Sequence, residues 1–168
     1  MIEKNTNIMV LRGPNYKNNS FTVEHKEKFK EKNEVWLVKM GRKVSEKSIN
    51  QCMDNGGFVI LKGPKKDKNN VLIGRVDKIY FGDYRESYNV PDYYEEMHDD
   101  GYLLYGTWFH FLEMYDLDAK TFPGLVSLKN KTPLMELIEN TRTVMFFVNT
   151  TNNLIVNGDV VIMEDNYE

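Results

Sequence analysis

Apolar and polar positions alternate along Val71–Phe81, with Leu72, Gly74, Val76 and Lys78 on one side and Ile73, Arg75, Asp77 and Ile79 on the other. A period of two over that length predicts one long strand. Shorter unbroken apolar runs at Val35–Val38, Phe58–Leu61 and Val144–Val148 predict buried strands. Ile8–Leu11 predicts a short strand ended by Gly13-Pro14. Tyr102–Tyr115 is the most aromatic run and predicts a pair of core strands or one long bent strand, with Gly106 as bulge or bend. Leu154–Val156 and Val160–Met163 flank Asn157-Gly158, a hairpin signal.

Helical signals are fewer. Ser45 predicts an N-cap ahead of EKSINQCMDN, with Gly56 as the stop and Val44, Ile49, Cys52 and Met53 roughly on one face. Thr132, followed by Pro133 and Glu136, predicts a capped start for a helix striped by Leu134, Leu137 and Ile138. Phe21–Glu34 is dense in Lys and Glu, and Thr22 is its candidate cap. With few apolar positions at helical spacing, it reads as an exposed helix or a mobile arm. KKDKNN reads as a polar hairpin turn, and Asp83–Gly101 as a long loop or irregular helix. The pattern divides into an N-terminal strand and charged arm over 1–34 and one α+β domain over 35–168.

Size and composition fit a single core: 168 residues, 41 % hydrophobic and 28 % charged. No apolar run approaches the roughly 20 residues that span a bilayer, and MIEKNTNIMV lacks the apolar core of a secretory leader. The expectation is a cytoplasmic protein without membrane contact. Cys52 is the only cysteine, which excludes an internal disulfide and disfavours a thiolate metal site.

The net charge of −3 hides a split. Residues 12–78 carry 16 Lys and Arg against 8 Asp and Glu, and residues 79–168 carry 5 against 16. The basic half points to an anionic partner, although lysine-rich loops are also ordinary solvated surface.

Catalytic patterns are thin. His25 reads as solvated. His98 sits among Glu95, Glu96, Asp99 and Asp100, where a cation site is conceivable and a solvated loop is simpler. His110 shares a strand face with Trp108 and Leu112 and reads as a satisfied core histidine or a pocket donor. No nucleophile elbow, P-loop, H-E-x-x-H or C-x-x-C occurs. The reading is therefore against an enzyme and calls for no cofactor, metal ligand or catalytic residue. Binding chemistry is better represented. Lys39, Arg42, Lys62 and Arg75 are candidate rim cations, Trp36, Tyr80 and Trp108 candidate stacking rings, and His110 a candidate polar contact.

The VWLVK run at Val35–Lys39 resembles the opening strand of EVE domains, and VLIGRV at Val71–Val76 is similar to the glycine-bearing strand of that family. The order of Trp108–Leu117, the helix Thr132–Arg142 and the strand Val144–Val148 resembles the end of the same fold. The family usually continues its first strand with Ser-Glu-Pro, where Met40-Gly41-Arg42 stands here. The resemblance implies a PUA-like mixed β-barrel (pseudobarrel) with flanking short helices. It also implies a pocket that reads a flipped or modified base of RNA or DNA, with Trp36 and Lys39 on the first strand and Trp108 on the far wall. A second reading is a protein-interaction or inhibitor protein, of phage or defence type. It would act through the acidic, tyrosine-rich residues 83–105, where seven carboxylates fall between Asp83 and Asp100.

Overall fold

The computed structural model describes residues 1–67 and 70–165. Part of the predicted KKDKNN turn, Lys68 and Asn69, lies outside the described residues.

Apolar runs become strands on both sides of the chain's midpoint. They are β1 (Asn7–Arg12), β2 (Val35–Met40), β3 (Phe58–Lys62), β4 (Val71–Asp83), β5 (Tyr105–Leu117), β6 (Leu125–Ser127), β7 (Met145–Thr150), β8 (Leu154–Asn157) and β9 (Val160–Met163). Helices α1 (Phe21–Lys32), α2 (Glu46–Asp54), α3 (Tyr93–Asp99) and α4 (Leu134–Asn140) and a 3-10 turn at Ala119–Gly124 flank them. The fold is mixed α+β. The strands join in one sheet of order β6-β7-β1-β3-β4-β5-β9-β8, with β2 beside β5 off that path. Most neighbours are antiparallel, while β1–β3 and β5–β9 are parallel. The expected N-terminal strand lies between β7 and β3 inside the sheet.

The sheet curls. Ile2 and Leu154 exchange two backbone hydrogen bonds of 2.7 Å, so the segment leading into β1 meets the far strand β8. Curling divides the core. Ile8, Val10, Ile60, Ile73, Leu117 and Val148 line the inner face with Leu134 and Ile138 of α4. Met9, Leu11, Val59, Leu61, Phe109 and Phe111 line the outer face, under α1 and α2. Burial on both faces is why β1 and β3 read as continuous apolar runs rather than as alternation. Each such side chain, fully buried, contributes about 1.5–3 kcal/mol.

Four local expectations are revised. Helix α1 is neither exposed nor an arm. It starts two residues earlier than Thr22 implied, with Ser20 accepting from the Val23 N–H, and it buries Phe21, Thr22, His25 and Lys26. Its inward face is largely polar, so no apolar period announced it. Helix α4 has no side-chain cap: Pro133 holds the N-cap position, while the Thr132 backbone is taken by Ser127. Gly106 is not a bulge. A Cβ there would lie 2.3 Å from the Lys39 carbonyl oxygen, so the glycine permits β2 to approach β5. The irregularity falls instead at Asp77 and Leu112, which are skipped in the β4–β5 register. It turns Val76 and Ile79 to the same outer face, which strict alternation had separated.

The acidic segment after β4 is ordered into α3, which buries Tyr93, Tyr94 and Met97. Together with Trp36, Leu104 and Trp108 these residues form a third, aromatic core.

Candidate functional site

Trp36 and Trp108, which the resemblance set on the first strand and the far wall, lie together in one aromatic core inside the molecule. Trp108 is fully buried and Trp36 is 8 % exposed. The register explains this: Trp36 pairs with His110, and Trp108 with both Val38 and Tyr80. The segment after β4 then folds over them. Tyr88 stacks on Trp36 with centroids 4.0 Å apart, and Tyr84 lies 5.9 Å from Trp108. The Trp108 Nε1 donates to the Gly82 carbonyl at 3.0 Å. Tyr80 accepts from the Tyr88 hydroxyl and donates to the Asp83 carbonyl at 3.0 Å. Burial, then the Tyr88 contact, raises the Tyr80 hydroxyl above its usual value. Trp36 and Trp108 are core, and Tyr80, Tyr84 and Tyr88 pack against them partly buried.

His110 stacks on Trp36 at 4.4 Å. Its Nδ1 lies 2.5 Å from an Asp77 carboxylate oxygen and its Nε2 lies 2.6 Å from Glu34. The bulge brings Asp77 there, on a strand where alternation would turn it away from the His110 face. Glu34 in turn accepts from Asn89, whose carbonyl takes the Trp36 N–H. His110 therefore ties three chain segments together.

The predicted cations disperse. Lys62 is fully buried, and its ammonium donates to the carbonyls of Gly63, Pro64 and Asp67, so it closes the turn after β3 rather than lining a rim. Arg75 is ion-paired to Glu113 through Nε. Lys39 and Arg42 do meet, the Lys39 ammonium donating to the Arg42 carbonyl at 3.2 Å. Burial, then the Arg42 charge, lowers the Lys39 ammonium below its usual value.

His25, read as solvated, is fully buried. Its Nδ1–H donates to the Phe21 carbonyl at 2.6 Å, and its Nε2 accepts from the Tyr94 hydroxyl at 2.8 Å. Tyr94 also accepts the Val38 N–H. Burial drives the imidazole down to about 4, with the Phe21 carbonyl opposing, so the ring is neutral and pins α3 to α1 and β2.

What remains accessible is a cleft of about 550 Å³ along α3. Tyr84, Tyr94, Val90, Pro91 and Leu104 line it together with His98 and four carboxylates, Glu86, Asp92, Glu95 and Asp99. Its lining contains no Lys or Arg. Of the four carboxylates, Lys28 reaches Asp92, at 2.9 Å, and it also pairs with Glu31 of its own helix at 3.3 Å. Burial, followed by the charges of Glu86 and Glu95, raises the Tyr84 hydroxyl above its usual value. Glu96 and Asp100, on another side of the same segment, are taken up by Lys17 at 2.9 and 2.8 Å. Tyr102 and Leu103, 50 % and 74 % exposed, follow the helix at the turn that leads to Leu104. Composition had marked this stretch as tyrosine-rich and acidic; the return of Leu104 beside Tyr84, which makes it a cleft, was not readable.

Among the described residues no group of three or more His, Cys, Asp or Glu is placed to hold a metal ion, and no helix is long and apolar enough to cross a membrane. No protein-family model matches the chain, and neither a curated protein nor a solved structure matches it.

Proposed function

We propose that this chain is a protein-interaction module that receives a basic segment of a partner in the acidic, tyrosine-walled cleft along α3. The observation that carries the reading is the lining itself: four carboxylates and His98 over an apolar and aromatic floor, with no Lys or Arg in the lining. Lys or Arg side chains meet carboxylates at the rim, and their stems or guanidinium planes lie on tyrosine faces. Contacts of this kind sit at the solvent boundary, so they set on-rate and specificity more than raw affinity. The exposed Tyr102 and Leu103 add apolar contact beside the charged rim.

The test is a titration of an Arg- and Lys-rich peptide followed by amide chemical shifts. The reading expects saturable shifts at Glu86, Glu95, Asp99 and Leu104, lost in a Glu95→Gln/Asp99→Asn variant. Shifts that map elsewhere, or an acidic peptide binding equally well, would contradict it.

A second reading, contact with nucleic acid, rests on a different surface. Lys39, Arg42 and Lys43 gather at the end of β2, Lys43 sits 5.8 Å over the Phe81 ring, and Phe81 packs on Tyr105 at 4.8 Å. Cations beside exposed rings suit a single strand. This reading keeps the PUA-like, EVE-type resemblance as an expectation, the curled mixed sheet bearing on its coarse α+β architecture alone. It replaces the base pocket by a surface ledge. Salt-sensitive binding of an oligonucleotide, abolished by Lys39→Glu/Lys43→Glu and untouched by Glu95→Gln/Asp99→Asn, would favour it.

A further inference from the structure

We infer that the open end of the curled sheet is a binding site for a small carboxylate with an apolar body. A cleft of about 240 Å³ opens there, sharing no residue with the acidic cleft. Its walls are Ile2, Phe58, Ile73 and Val161, continuous with the inner core. A cavity of roughly 150 Å³ accepts a benzene ring, so this one has room for a ring or short branched chain with its head group.

The polar end is supplied by β4 and β5. Arg75 pairs through Nε with Glu113, and Glu113 accepts from the Tyr115 hydroxyl at 2.9 Å. Burial works against the Glu113 carboxylate, yet the bonds from Arg75 and Tyr115 hold it below its usual value. Arg75 lines the cleft with its side chain 41 % exposed, and among the described residues its hydrogen bonds run through Nε alone, so its two terminal nitrogens carry no protein partner there. A guanidinium fork with one edge free takes a planar carboxylate in two parallel bonds, which neither an amide nor an amine reproduces. The strands hold Arg75 in a fixed place, because it precedes the Asp77 bulge and pairs with Glu113 in register. Apolar walls disfavour a phosphate, whose three oxygens would lose water without replacement.

The experiment uses benzoate and benzamide as probes, followed by the methyl resonances of Ile73 and Val161. Benzoate shifts both methyls to saturation, and benzamide binds at least about tenfold more weakly. Val156→Trp, which fills the mouth from a half-exposed position, removes the benzoate response while the rest of the spectrum is kept. Arg75→Lys retains a charge beside Glu113 but loses the fork, and weakens benzoate about tenfold. Equal binding of benzoate and benzamide overturns the inference. So does a silent spectrum at about 10 mM benzoate, or benzoate binding unchanged in Val156→Trp. Basic-peptide binding at α3 is untouched by these variants, so the two sites fail or stand separately.

Discussion

Acid sensitivity should trace largely to His25. The ring is fully buried, neutral, and committed at both nitrogens. Its value falls from 6.5 to about 4 on folding. A base whose value is lower in the folded state binds a proton more readily when unfolded. Stability is therefore complete above the unfolded value and is lost as pH falls from 6.5 toward 4. A shift of roughly 2.5 units corresponds to about 3 kcal/mol over the whole window, and about 2 kcal/mol between pH 7 and pH 5. The assay is urea unfolding at pH 7, 6 and 5 for the natural chain and for His25→Gln, which cannot titrate. The variant is less stable at pH 7, because Tyr94 and the Phe21 carbonyl lose their shared partner. Its decline from pH 7 to pH 5 is shallower by about 2 kcal/mol. Parallel pH profiles for the two proteins would refute the reasoning.

Three further outcomes follow from the packing. Lys62→Met leaves three turn carbonyls without their donor and costs about 2–3 kcal/mol in urea unfolding, whereas Lys65→Met, an exposed change, costs less than about 1. Gly106→Ala drives a Cβ into the Lys39 carbonyl and destabilises by about 2 kcal/mol or more, with the first loss of amide protection along β2. Tryptophan emission is blue-shifted and hardly quenched by iodide, because both indoles are enclosed; easy quenching would mean that the segment over them opens.

The legible parts of the fold were those in which one residue type decides one geometry. Ser45 accepts from the Ser48 N–H as a cap should, and Gly158 turns the last hairpin with φ +65°. β1 and β3 announced themselves because both their faces are covered. The burial of helix α1 hid because its inward face is built largely from Thr22, His25 and Lys26, and Lys26 is tolerated only through Asp116 on β5 and Asp159 in the β8–β9 turn. Helix α3 hid because Tyr93, Tyr94 and Met97 look like a polar-aromatic loop until the two indoles beneath them are known. The candidate site had the same fate. Trp36, Tyr80, Trp108 and His110 lie side by side, and neither that nor the closing of the following segment over them could be read from the pattern alone. Lys62 read as a rim cation because its three carbonyl partners come from a turn whose path the pattern does not fix.

The most direct test of the central claim is the affinity of an Arg-rich peptide measured by calorimetry at low and at physiological ionic strength. Three proteins serve: the natural chain, a Glu86→Gln/Glu95→Gln/Asp99→Asn variant, and a Lys39→Glu/Lys43→Glu variant. The α3 cleft predicts micromolar binding that weakens about tenfold or more as salt rises, disappears in the first variant and persists in the second. Binding that ignores salt, or that survives loss of the three carboxylates, would contradict it.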